Sequence, residues 1–162
     1  MAKMIINVFC CALLHCTAAA ITNLAQIVGL SIDSTRVSEI PRRDFSTPET
    51  SYLNFVRALA TTNEADWVAG FAPQKIVEYA GTENPDVLSG RSDSPLTEFF
   101  SAHVVSNMIL TTYSIADVSE YTKRISADIV LIFDDKEQTN SYPIVFSKTN
   151  NTWVIVDFLD DE

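Results

Sequence analysis

The sequence predicts an α+β domain in which N-terminal helices pack on one face of a curved antiparallel β-sheet. Three observations carry this reading. Apolar residues recur at helical spacing between Thr47 and Pro73, they alternate along much of the C-terminal half, and turns rich in Asn and Asp separate the alternating runs. Helices first and strands afterwards is the order of an α+β layout, in which the helices cover one face of the sheet.

The first 20 residues stand apart from that domain. Met1-Ala2-Lys3 gives a short positive start, Met4 to Leu14 is apolar apart from Asn7, and Ala18-Ala19-Ala20 places small residues just before a cut. This is the pattern of a secretory signal peptide, so the protein is expected to be exported, to a periplasm or to the outside. His15 and Thr17 interrupt the apolar run short of the roughly 20 residues that a membrane span needs. Cleavage after Ala20 is therefore expected, with no stable membrane insertion afterwards. The alternative is a lipoprotein acylated at Cys16, for which Leu13 is well placed and His15 is not. Cys10, Cys11 and Cys16 all lie in this leader, which leaves the exported chain without a disulfide, a thiol nucleophile or a thiolate metal site.

Residues 21–162 have the size of one self-sufficient domain, which buries roughly 68–70% of its unfolded surface. Loss of Lys3 leaves 10 basic residues against 21 acidic ones. Such a field repels phosphate backbones and anionic membranes, so nucleic acid is not an expected partner. The acidic residues are scattered, apart from Asp160-Asp161-Glu162, and read as a solvated surface.

Residues 21–46 read as a linker or a loosely packed segment: Leu24, Ile27, Val28 and Leu30 suit a short strand or helix, while Asp33-Ser34-Thr35 and Pro41-Arg42-Arg43-Asp44 look like connection. The domain proper, 47–162, opens at Thr47, which can cap a helix, with Pro48 at its first position and Glu49 at the positive end of its dipole. Tyr52, Phe55, Val56 and Leu59 make its core stripe, and Asn54 and Arg57 are expected on the exposed side. Asn63 caps a second helix carrying Trp67, Val68 and Phe71, which Pro73 stops; Lys75 to Tyr79 suits another short turn or helix. Gly81 to Ser94 reads as a loop. Ser94-Pro95 starts a helix expected to end near Ala102, and a strand is expected from Val104 to Ile115.

An antiparallel meander follows. Glu120 to Asp134 is its second strand, with Ile125, Ala127, Ile129, Leu131 and Phe133 on one face. Asn140 to Lys148 is the third, where Pro143 calls for an edge or a bulge. Asn150-Asn151 turns the chain, since Asn accepts positive φ, and Thr152 to Leu159 is the last strand, apolar on both faces and so expected to be central or covered on both sides.

Residues 47 to 159 resemble the nuclear transport factor 2-like superfamily, the cone-shaped α+β fold that includes ketosteroid isomerase and polyketide-cyclase-type proteins. The resemblance lies in Thr47-Pro48-Glu49 with Phe55-Val56-Arg57-Ala58-Leu59, in Asp66-Trp67 and Phe71-Ala72-Pro73, in Ile129-Val130-Leu131-Ile132-Phe133, and in Asn151 to Phe158. It implies a pocket between the helices and the concave sheet face, and dimers formed through the other face. No catalytic set of the enzymatic members matches residue by residue, and the fold alone does not give the chemistry.

Two site readings follow. Trp67, Phe71, Tyr79, Phe99, His103 and Tyr113 are candidates to line an apolar pocket, although aromatics at such spacings are more often core. His103, Glu98, Asp66 and Asp157 are the candidate proton-transfer groups of an isomerase or dehydratase. His103 has no identifiable partner, and Asp157, which interrupts an apolar strand, needs one if buried. Asp134-Asp135-Lys136-Glu137 lacks the alternating ligands and glycine of a calcium loop, and no metal or cofactor is expected. There is no Gly-x-Ser-x-Gly elbow and no phosphate-cradling loop. The expected function is a non-catalytic exported module that binds a small apolar molecule or a protein partner; the isomerase and a structural homodimerisation domain are the alternatives.

Overall fold

The computed structural model describes residues 23–32, 37–81, 108–133 and 136–158. The leader, the helix expected from Ser94 and the strand start at Val104 lie outside the described residues.

The segment read as a loose linker is instead built into the core. A 3-10 turn at Leu24–Gln26, capped by the Asn23 side chain, leads into strand β1 (Leu30–Ile32), and a second 3-10 turn spans Val37–Glu39. Leu24, Ile27, Val37 and Ile40 are buried in the main hydrophobic cluster. Four such side chains contribute on the order of 1.5–3 kcal/mol each, which is ample to hold so short a segment down.

Helix α1 (Pro48–Ala60) begins as its sequence requires. Thr47 Oγ1 accepts from the Thr50 N–H, Thr50 Oγ1 accepts from the Thr47 N–H, and Pro48 fills a position whose N–H would have no helical partner. The expected stripe of Tyr52, Phe55, Val56 and Leu59 is buried. The opposite side is not exposed, however, because the N-terminal segment lies against it and buries Asn54 as well. Helix α2 (Glu64–Val68) is capped by Asn63, whose Oδ1 accepts from the Asp66 N–H. Pro73 does more than stop it: this proline is the first residue of α3 (Pro73–Ala80), which ends at Gly81 in the left-handed region, φ 65°.

The sheet is antiparallel along every ladder, and its strands lie side by side in their order along the chain. Its long members are β2 (Met108–Ser119), β3 (Thr122–Phe133) and β4 (Lys136–Thr149), followed by the shorter β5 (Thr152–Phe158). The β4–β5 turn is the two-residue Asn150-Asn151, both at positive φ, which matches the twist of the flanking strands. Strand β4 starts earlier than expected, at Lys136, because the polar run to Asn140 pairs along β3. Pro143 lies just beyond the β4–β5 ladder, which ends at Ile144 opposite Phe158, so this part of β4 is an edge among the described residues.

One face of the sheet carries the core. Ile125, Ala127, Ile129 and Leu131 of β3 are buried, beside Ile144 and Phe146 of β4 and Ile155 of β5. Helix α1 packs here through Tyr52 against Phe146, with ring centroids 6.4 Å apart, and through Phe55 against Tyr142 at 6.2 Å and Phe158 at 6.0 Å. Strand β5, expected to be central or covered on both sides, is an edge strand among the described residues, and its free edge is covered. Ile155 donates its N–H to Gly70 O and accepts from Ala72 N–H, both at 2.8 Å, while Trp153 N–H donates to Phe45 O. The α2–α3 connection thus satisfies the backbone groups of an edge that would otherwise template aggregation.

Candidate functional site

The densest polar constellation gathers around Asp66, which α2 buries to 2% exposure. Its position follows from the Asn63 cap, since the third residue of a capped helix turns its side chain back toward the cap. Asn63 Nδ2 donates to Asp66 Oδ2 at 3.1 Å. Arg42 donates from Nε to Oδ2 at 2.7 Å and from Nη2 to Oδ1 at 3.1 Å, a bidentate fork. Arg43 Nε donates to Oδ1 at 2.7 Å, and Arg57 Nη1, from α1, donates to Oδ2 at 3.3 Å. Burial by itself pushes the Asp66 carboxyl up. The hydrogen bonds from Arg42 and Arg43, and their charges, outweigh it and hold this group below the ordinary carboxylate value.

A second layer holds the arginines in place. Arg43 sits at φ 54°, an uncommon conformation for a long side chain. The Arg43 N–H donates to Asn54 Oδ1, and Asn54 Nδ2 donates to Asp44 O at 2.6 Å and Thr50 O at 2.9 Å. Asn54 is therefore the buried polar hinge between α1 and the 42–44 loop. Sequence reasoning placed it on an exposed face. The signal that points the other way is a short amide in the middle of an otherwise well-formed helix, a residue type that favours backbone partners.

The sequence-predicted site residues do not all converge. Asp66 is the centre of the arginine cluster. Trp67 and Phe71 are buried and pack edge-on at 4.6 Å, with Phe71 against Phe158 at 5.5 Å. They form the aromatic seam under the β5 edge and continue to Phe55. Asp157 lies on the outer side of β5, half exposed, with Lys75 Nζ at 3.3 Å. The Lys75 ammonium is raised above its usual value by its hydrogen bond to Glu78 and by Asp157. Tyr113 is partly buried against the core from β2. Glu98, Phe99 and His103 lie outside the described residues, as does the side chain of Tyr79. Among the described residues, no three His, Cys, Asp or Glu side chains gather in a metal-binding group.

The other face of the sheet is built from the alternate residues of the same strands. In register across it run Ala116, Arg124, Val145 and Asp157; Ser114, Ser126 and Pro143; Thr112, Asp128 and Ser141; and Ile109, Val130 and Thr139. Thr112 Oγ1 donates to Asp128 Oδ2 at 2.7 Å, tying two of these strands together. Ile109, Val130, Val145 and Val154 are half-buried and lie outside the core cluster. At the end of the β2–β3 hairpin a bulge at Val118 and the turn residue Tyr121 leave two apolar side chains exposed, at 61% and 56%.

No protein-family model matches the chain, and no curated protein matches it. Seventeen chains of solved structures match, two of which follow. One is an NTF-2-like protein of unknown function from Shewanella oneidensis MR-1, 13% identical, with TM-score 0.44 over 67% of this chain and 94% of that one. The other is described as a calcium/calmodulin dependent protein kinase II association domain from Xanthomonas campestris, 12% identical, with TM-score 0.39 over 70% of this chain and 86% of that one. At this degree of similarity the α+β assignment rests on the chain's own helices and antiparallel ladders.

Proposed function

We propose that the chain is an exported, non-catalytic association module whose outer sheet face takes a protein partner, with a second copy of the chain as the occupant it fits. The observation that carries this reading is the composition of that face. Its middle rows are Ser114, Ser126 and Pro143 and Ala116, Arg124 and Val145, flanked by half-buried Ile109, Val130 and Val154. Apart from Arg124 and Asp128 the side chains of this face are short, and a second sheet can settle on such a surface at about 10 Å. Helix α1 occupies the opposite face through Tyr52 and Phe55, so the two faces have separate roles.

The described carboxylates support a binding role over proton transfer. Both oxygens of Asp66 are taken by arginine and asparagine donors, and Asp157 is paired with Lys75, so neither offers a free base. Trp67 and Phe71 are spent on packing the β5 edge, which favours a protein partner over a small apolar ligand. Export is supported by the leader pattern of residues 1–20.

Sedimentation equilibrium of residues 21–162 at high micromolar concentration tests the proposal. The expected result is a reversible dimer, which Ser126→Arg, at the centre of the face, converts to monomer while circular dichroism stays unchanged. A native chain that remains monomeric overturns it.

A further inference from the structure

The Asp66 cluster has an imbalance that the fold does not need. Three guanidinium groups face one carboxylate, in a chain whose net charge is -10. Asp66 already accepts from Arg42 twice, from Arg43, from Arg57 and from Asn63, which saturates its lone pairs. Most of the arginine N–H groups are left over. Arg42 and Arg43 are 59% and 50% exposed, so their unused edges reach solvent side by side. Arg57 Nε is buried and has no hydrogen-bond partner among the described residues.

A single carboxylate would anchor the 42–44 loop with one arginine. The second and third arginines add mutual repulsion that Asp66 offsets only in part. They are also held rigidly: Arg43 is fixed at positive φ by Asn54, and both Nε atoms are pinned at 2.7 Å from Asp66. A pinned guanidinium loses little further freedom when its remaining N–H groups take up a ligand, which is the preorganisation that anion sites use.

We infer that Arg42 and Arg43, fixed by Asp66 and backed by Arg57, form an oxyanion-binding site that takes a carboxylate or phosphate group. The planar fork of arginine matches both groups bidentately, and an acidic chain whose field disfavours anions becomes selective where it presents such a basic cluster. The site lies at the α1–α2 junction, on the side of α1 that the 42–44 loop covers.

The test uses the exported chain and side-chain Nε–H resonances of arginine at low ionic strength. Inorganic phosphate and acetate are titrated separately, with chloride at matched ionic strength as reference. Saturable shifts of the Arg42 and Arg43 signals are expected with at least one of the two oxyanions. Response to phosphate alone assigns a phosphate ligand, and response to acetate assigns a carboxylate. Arg42→Gln is expected to weaken that binding by about tenfold or more, the loss of a charge-assisted pair. Arg42→Lys keeps the charge but not the fork, and is expected to recover only part of it. Amide spectra of each variant check that the fold persists. The inference is overturned if neither oxyanion gives a saturable response, if chloride gives the same one, or if Arg42→Gln binds as well as the native chain.

Discussion

Asp66 is buried yet ionised, and a buried charge is tolerated only when it is paired. Replacing it with Asn keeps the shape and leaves Arg42, Arg43 and Arg57 facing one another. Because two of the three arginines are about half exposed, water offsets part of the loss. Asp66→Asn is expected to destabilise the fold by about 2 kcal/mol at neutral pH, as measured by urea unfolding. The pH dependence has a definite sign. The folded carboxyl is held below the ordinary carboxylate value, so its contribution is complete above that value and is lost as pH falls through the lowered one. In acid below that range, the native chain and Asp66→Asn should converge in stability. Tyr52 acts at the other end of the scale. Burial pushes its hydroxyl well above the ordinary tyrosine value, so the neutral form is the one the core holds. Stability from this group is complete below the ordinary value and is lost as pH rises through the raised one.

The elements differ in how plainly the sequence announces them, and their energetics differ with it. Thr47 satisfies the open end of α1, and Thr47→Ala is expected to cost about 1 kcal/mol, read from the same unfolding curves. Gly70 is a tighter constraint: a Cβ there would meet Trp67 O at 3.3 Å, beside Phe45 and Ile155. Gly70→Ala is expected to destabilise by about 1 kcal/mol and to speed hydrogen exchange at the Ile155 N–H more than at Ile144, because the cover of the β5 edge is what it displaces. The Thr47-Pro48 cap, the Asn63 cap, the alternation through Ile125 to Leu131 and the Asn150-Asn151 turn were legible because each is local, a few residues whose chemistry admits one conformation. Around strand β1 the sequence left a short strand and a short helix both open and did not mark the turns beside it. Each is three residues long, too short for a period, and Leu24, Ile27, Val37 and Ile40 become a core only when the chain returns over α1. The arginine cluster was hidden for the same reason, since Arg42 and Asp66 are 24 residues apart and Pro41 to Asp44 reads as connection.

At the scale of the whole molecule, the sheet has a face sealed by the core and a second face whose described residues lie outside it. Leu24, Tyr52, Phe55 and Phe146 close the first side, and nothing in the core cluster comes from the alternate residues Val130, Val145 and Val154. Dilution of methyl-labelled protein, followed by NMR, reports directly on which side meets another molecule. The methyl signals of Val130, Val145 and Val154 are expected to shift together with concentration, while those of Ile125, Ile129 and Ile144 stay fixed. Concentration-independent spectra, or shifts confined to residues away from the outer face, would contradict the assignment of that face to association.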